Sequence, residues 1–190
     1  MKKRLFIGVD ISEEALSAAG LYIDKLSKRF HDVPVKWERP EKLHLTLKFL
    51  GGTEEDLVKH VINIVDRNAK NTDAFEIEIA DTGAFPSEKN PRILWLGVNE
   101  PTGAMKVLAQ SIDDDCSQLG FEIENRSFKP HLTIARTRDP GASSVLGKEH
   151  TTHSFGPVQF SCRELVLYHS QLGRGGSVYS KLAAAKFRAK

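Results

Sequence analysis

The apolar positions of this chain change period several times, and each change marks an element. Residues 5–9 form a short apolar run ended by Asp10, which reads as a first strand. Ser12, followed by Glu13 and Glu14, is a helix-start signal, because a hydroxyl there can accept from an unpaired amide of the first turn. Ala15, Ala18, Ala19, Tyr22, Ile23 and Leu26 then recur at helical spacing, and this helix must end before Pro34. Residues 35–38 and 43–50 read as strands, after which Gly51 and Gly52 are expected to turn the chain. Thr53 and Asp56 have the spacing of a capping box, ahead of a second helix with Leu57, Val58, Val61, Ile62 and Val65 on its inner face.

Farther on, Phe75, Ile77 and Ile79 alternate with Glu76 and Glu78, the pattern of a half-buried antiparallel strand. ILWLGV (93–98) follows a loop carrying Pro86 and Pro91, and a third helix is expected over about 102–119 with Gly120 as its stop. Then come FEIEN (121–125), a histidine-bearing strand, a polar loop over about 138–155, and the apolar strands VQF and ELVLYH. A glycine turn, GRGG, leads into SVYSKL. Several strands alternate in polarity and the last three lack an intervening helix, so an α+β arrangement of antiparallel sheets with outer helices is expected rather than a doubly wound parallel sheet.

Composition narrows the function classes. With 190 residues and 40 % hydrophobic content the chain can fill a core without staples. Its 27 basic and 25 acidic residues leave a formal charge of +2, so partners must be argued from local charge. Cys116 and Cys162 alone build neither a disulfide framework nor a structural zinc site, which suits a reducing cytoplasm. The start, MKKRLFIGVD, is too short in its apolar run for an export signal, and no stretch is long enough to span a membrane. No membrane and no obligate protein partner is implied.

The candidate chemistry lies in a repeated hexapeptide. HLTLKF at 44–49 returns about half a chain later as HLTIAR at 131–136, although the chain has only seven histidines. On a strand, alternation puts His44 with Thr46 on one face and Leu45, Leu47 and Phe49 on the other, toward a core. It likewise puts His131 with Thr133, and Leu132 with Ile134 opposite. Strict alternation sends Arg136 to the face away from His131, unless a bulge or the strand's end redirects it. Two strands of this kind facing across a cleft would surround a small anion with two titratable nitrogens and two hydroxyls. That set can open a phosphodiester without metal: a neutral imidazole takes a proton, a protonated one supplies a proton, and hydroxyls stabilise the phosphate charge.

Other histidines and other chemistries are weighed against this. A single H-x-T is usually incidental, and His150-Thr151-Thr152, in a polar loop without an apolar face, is assigned to chance. His31, His60, His153 and His169 are assigned to surface or packing roles. A catalytic zinc needs about three protein ligands and neither hexapeptide contains Asp, Glu or Cys, so no metal and no other cofactor is expected. No G-x-S-x-G occurs and neither cysteine has an activating context. A non-catalytic RNA or nucleotide binder stays open. Local charge for a polyanion is available in Arg126, Lys129, Arg136 and Arg138, and in the acid-free tail with Arg174, Lys181, Lys186, Arg188 and Lys190. Tyr168 and Phe85 are aromatic candidates for stacking on a base.

The paired motifs resemble those of the two-histidine phosphoesterases, in particular the RNA 2′,3′-cyclic phosphodiesterase branch, also called bacterial and archaeal 2′-5′ RNA ligases. RLFIGVDI, PEKLHLTLKFLGG, PRILWLGV, SFKPHLTIAR and LYHSQLGRGGSVYSKL look like family segments in order and span nearly the whole chain. Gly52, where many members have an acid, and Lys48, where arginine is frequent, depart from the pattern. The resemblance implies one bilobed α+β domain over 1–190, in which two pseudo-symmetric antiparallel sheets face a central cleft with one H-x-T per lobe (44–46 and 131–133). It implies hydrolysis of RNA 2′,3′-cyclic phosphate ends to 2′-phosphates, with 2′-5′ ligation as related chemistry. It implies His44 as proton donor, His131 as proton acceptor, and Thr46, Thr133 and Arg136 as substrate-binding residues. A phosphodiesterase acting on small cyclic nucleotides or 2′-5′ linkages is the alternative within enzymes.

Overall fold

Alternation of apolar and polar residues resolves into two antiparallel sheets in a computed structural model that describes residues 2–173 and 176–189. The middle of the GRGG turn, Arg174 and Gly175, and Lys190 of the basic tail lie outside the described residues. The chain runs β1 (Lys2–Val9), α1 (Glu13–Arg29), β2 (Val35–Trp37), β3 (Leu45–Glu54), α2 (Glu55–Lys70), β4 (Phe75–Phe85) and β5 (Ile93–Asn99). It continues through α3 (Ala104–Ser117), β6 (His131–Thr137), α4 (Ser144–Thr152), β7 (Val158–Cys162), β8 (Glu164–Gly173) and β9 (Gly176–Lys186). One sheet has the order β3-β1-β8-β9 and the other β2-β6-β5-β4-β7. The first sheet therefore joins both ends of the chain, and the two sheets are not its successive halves. A continuous apolar core runs through both, from Leu5, Ile7 and Leu45 to Leu94, Leu96 and Leu132, so the sheets are locked to each other. No helix among the described residues is long and apolar enough to cross a membrane.

Local signals act largely as the sequence suggests. The Ser12 hydroxyl accepts from the Ala15 amide and caps α1, which buries Ala15, Ala19, Ile23 and Leu26. Phe75, Ile77 and Ile79 are buried along β4. Gly120, with a φ of 87°, follows α3 in the left-handed region that suits glycine.

Several expectations are overturned. Gly51 and Gly52 do not turn the chain: β3 runs through them to Glu54, with Gly51 at a φ of 68°. The capping box is absent, because Glu54 occupies the cap of α2 and makes no side-chain cap bond. Thr53 is buried and its hydroxyl reaches back to the Gly51 carbonyl at 3.4 Å, while the Asp56 carboxylate accepts from the adjacent Leu57 amide. FEIEN joins neither sheet, and Ile123 is exposed. The polar loop contains α4, and His150 lies on it fully buried. Its Nε2 faces the carbonyls of Gly83 and Trp95, both at 3.1 Å, so that nitrogen carries the proton and Nδ1 accepts from the Tyr22 hydroxyl at 2.9 Å. Burial lowers its pKa, which keeps it a neutral packing residue.

The most consequential departure from simple alternation occurs twice. Between β1 and β3, Gly8 pairs with Thr46 and Ile7 with Lys48, leaving Leu47 as an extra residue. Between β5 and β6, Trp95 pairs with Thr133 and Leu94 with Ala135, leaving Ile134 extra. Each bulge falls three residues after its motif histidine, and each shifts the alternation that follows. Lys48 and Ala135 turn inward, while Phe49 and Arg136 emerge on the side of the histidines. Phe49 is thus not a core residue, and the direction of Arg136 is the one a bulge permits.

Lys48, turned inward, is 6 % exposed and pairs with Asp113 of α3 while donating to the Glu122 carbonyl. Asp113 also accepts from the Glu124 amide at 3.1 Å. These bonds tie β3 to the segment that leads into β6. Removing one partner strands the other charge, so Lys48→Met should cost about 3–5 kcal/mol in urea unfolding. Lys48→Met with Asp113→Leu should recover much of that loss; a single variant as stable as the parent would show that the pair holds nothing.

Candidate active site

Both motif histidines are held in the same way. The Nδ1 of His44 lies 2.7 Å from the Lys42 carbonyl oxygen, and the Nδ1 of His131 lies 2.8 Å from that of Lys129. A carbonyl only accepts, so in each neutral ring Nδ1 bears the proton and Nε2 keeps its lone pair. The local chain explains why the acceptor is two residues upstream. A 3-10 turn over Pro40–Lys42 delivers Lys42 just before β3, and Pro130 holds Lys129 extended just before β6. His44 precedes β3 by one residue, although the sequence predicts a strand over 43–50.

Packing fixes the rings. Phe6 of β1 stacks on His44 with centroids 4.5 Å apart, and Tyr179 of β9 meets His44 edge-on at 5.1 Å. Phe85 meets His131 edge-on at 5.1 Å, with Trp95 behind at 6.5 Å. Gly8, opposite Thr46, allows β1 to approach closely, since a Cβ there would lie 2.5 Å from the Leu45 carbonyl oxygen.

His44, Thr46, His131, Thr133 and Arg136 line one cavity of about 520 Å³, so all five residues singled out from the sequence are brought together. Arg4, Lys36 and Lys42 add positive charge to its wall. Glu38 sits 3.6 Å from Arg136 and is the acid in the lining. Three of the other basic candidates are engaged elsewhere: Arg126 with Glu124, Lys181 with Asp10 and Glu164, and Arg188 with Asp73. Sequence reasoning misses Arg4 because its strand parity matters only once β1 is known to pair with β3; then Arg4 and Phe6 fall on one face. Tyr168 is buried, stacks on Phe6 at 4.8 Å and donates to Asp10, so it cannot meet a base, and Phe85 is committed to Trp95 and His131.

Burial lowers the pKa of His44 from its ordinary value, and the Arg136 charge lowers it further. The bond to the Lys42 carbonyl and the Asp10 carboxylate act in the opposite direction without cancelling the burial. Among the described residues no three His, Cys, Asp or Glu side chains converge as a metal-binding group. The cavity therefore offers two imidazole lone pairs, two hydroxyls and a cationic wall, a set suited to moving protons around a bound phosphate.

Comparison with known proteins points the same way. The family described as the 2′-5′ RNA ligase superfamily matches residues 14–174. A protein of Methanothermobacter thermautotrophicus named RNA 2′,3′-cyclic phosphodiesterase is 32 % identical over 185 residues, covering 96 % of this chain and 97 % of its own. One of the same name from Thermotoga maritima is 30 % identical, covering 97 % of this chain and 95 % of its own. The crystal structure of E. coli LigT complexed with 3′-AMP superposes with a TM-score of 0.80 at 25 % identity, covering 98 % of this chain and 99 % of its own. The two antiparallel sheets, the paired motifs and a family match over most of its length establish that this chain belongs to the 2′-5′ RNA ligase superfamily.

Proposed function

We propose that this protein, a single bilobed domain, hydrolyses RNA ends bearing a 2′,3′-cyclic phosphate to a 2′-phosphomonoester and a free 3′-hydroxyl, without a metal ion. The observation that carries the reading is the duplicated imidazole: two rings with Nδ1–H satisfied by an upstream carbonyl and Nε2 left for chemistry in one cavity. The relatives named RNA 2′,3′-cyclic phosphodiesterase, matched over nearly their full length, support it. Both cysteines are free thiols whose pKa burial pushes up to about 12, which suits a reducing cytoplasm.

In the proposed reaction the neutral Nε2 of His131 takes a proton from water as the water oxygen attacks phosphorus. The bond from phosphorus to the 3′ oxygen breaks, and the protonated Nε2 of His44 gives its proton to that oxygen. Thr46, Thr133 and Arg136 hold the non-bridging oxygens and stabilise the charge that builds on them. His131 leaves the step protonated and His44 neutral, and exchange with solvent resets both. A ribose 5′-hydroxyl in place of water would give a 2′-5′ linkage by the same steps.

The acid must be charged, yet burial and Arg136 both disfavour charge on His44 in the free protein. A phosphate anion between the two groups offsets the Arg136 charge and favours the imidazolium, so substrate binding itself loads the acid. By NMR titration the His44 ring should therefore show a midpoint below that of an ordinary histidine in the free protein. Adding adenosine 2′-monophosphate should move it upward, and no movement would detach His44 from the phosphate.

Purified protein in EDTA should convert an oligonucleotide with a 2′,3′-cyclic phosphate end to the 2′-phosphate. Binding without turnover would favour a nucleotide-binding role, and activity restored only by added zinc or manganese would overturn the two-histidine mechanism. The division of labour has its own check. A substrate with a better leaving group in place of the 3′ oxygen needs little protonation, so it should recover much of the loss in His44→Ala and little in His131→Ala. The opposite rescue pattern would exchange the two roles.

A further inference from the structure

The cross-strand neighbour of each motif histidine differs in kind. The ladder between β1 and β3 ends with Gly8 opposite Thr46 and Val9 opposite Leu45, so the next residues on the two strands are Asp10 and His44. In the other sheet Trp95 lies opposite Thr133 and Gly97 opposite His131. A carboxylate thus accompanies one imidazole, and a residue without a side chain accompanies the other.

The carboxylate is held in place. Phe6, Gly8 and Asp10 follow one parity, and Phe6, Tyr168 and Lys181 form a row across β1, β8 and β9. From that row the Tyr168 hydroxyl and the Lys181 ammonium both donate to Asp10, and Lys181 also donates to Glu164 at 3.0 Å. Burial, and then the bond to Asp10, raise the pKa of Tyr168, so its hydroxyl stays protonated and keeps donating. Two carboxylates around one ammonium leave this cluster with a net negative charge.

We propose that Asp10, held by Tyr168 and Lys181, is the positioning residue that makes His44 rather than His131 the proton donor. The proposal rests on the reading of the cleft as a cyclic phosphodiesterase and adds what breaks the equality of its two histidines. A proton donor must carry a positive charge before the reaction, and the cavity wall opposes one: Arg136 of β6, Lys36 of β2, Arg4 of β1 and Lys42 are all cations. Glu38 of the same wall is drawn to Arg136. Tyr179 of β9 is kept a neutral phenol chiefly by burial, and His131 is a second imidazole. The carbonyl bond at Nδ1 favours the charged ring, but both histidines make it, so it cannot separate them. Asp10 also favours a proton on His44, and it does so from outside the cavity lining, where it does not face the substrate phosphate.

The test uses Asp10→Asn, which keeps an acceptor for Tyr168 and removes the charge, and Lys181→Met, which removes the cation that partly neutralises Asp10. Melting temperatures confirm folding. By NMR titration of the free protein the His44 midpoint should fall in Asp10→Asn and rise in Lys181→Met, while that of His131 moves less in both. Opposite shifts are the signature of charge, since a loosened ring would shift in the same direction in both variants. In Asp10→Asn, kcat/KM for adenosine 2′,3′-cyclic phosphate should drop about three- to tenfold at pH above both histidine midpoints, short of the about 10²–10⁴-fold worth of a general acid. The loss should vanish at pH below both midpoints, where solvent protonates His44 in either protein. An analogue with a better leaving group in place of the 3′ oxygen should show little loss at any pH. An unmoved His44 midpoint in Asp10→Asn, shifts of one sign in the two variants, or a loss equal for both substrates and constant with pH would each overturn the role of Asp10 while leaving the hydrolytic reading intact. Absence of hydrolysis in wild type would overturn that reading instead, and the midpoints would still decide whether Asp10 governs the charge on His44.

Discussion

A hydrogen bond from an imidazole Nδ1 to the carbonyl two residues upstream is the contact on which the cleft depends, and it is made twice. It selects the tautomer and sets the plane of each ring. It also makes the accuracy of the ring equal to the accuracy with which the backbone begins a strand. The rest of the fold serves those two strand starts. A short 3-10 turn and a proline deliver the two carbonyls, and stacked or edge-on aromatics prevent the rings from swinging away. A core shared by both sheets keeps the starts of β3 and β6 at a constant separation. Rigid placement of this kind suits a reaction whose catalysis is mostly the positioning of proton carriers.

The matching bulges explain how nearly identical hexapeptides acquire different duties. In each strand the third residue after histidine drops out of the ladder, and the fifth comes round to the cavity. Up to that point the two sides present the same pair, histidine and threonine. Beyond it they diverge into Phe49 and Arg136, and the inward residue between diverges as well, since Ala135 packs in the core while Lys48 forms a buried ion pair. A duplicated motif thus builds a cavity with a direction, although its two histidines are interchangeable by position alone.

Much of this is legible in the sequence, for reasons that particular residues make clear. Ser12 caps α1 because a hydroxyl before a helical period has little else to do, and Phe75, Ile77 and Ile79 alternate because one face of β4 is core. Repetition and strand parity lead to His44, Thr46, His131 and Thr133, and the family resemblance adds Arg136. Parity fails at Phe49 and leaves Arg136 open, because a bulge belongs to a pair of strands and no single strand records it. Arg4, Lys36 and Lys42 escape notice because they come from different elements, and only the sheet order brings them to one wall. The segment containing α4 reads as a loop from its polar residues. Its buried positions, Leu146, Gly147 and His150, include a glycine fitted against the Glu88 backbone and a histidine whose partners are distant in sequence.

The bulges in β3 bear on a different property of the molecule. Among the described residues β3 is a margin of its sheet and pairs only with β1, so its outer side carries backbone groups that another extended chain could zip onto. Two interruptions, at Leu47 and again between Leu5 and Phe6, break the even spacing that such zipping requires, and Gly51 adds a left-handed kink. The irregularity that brings Phe49 to the cavity wall therefore also makes the marginal strand a poorer template for an added strand on that side.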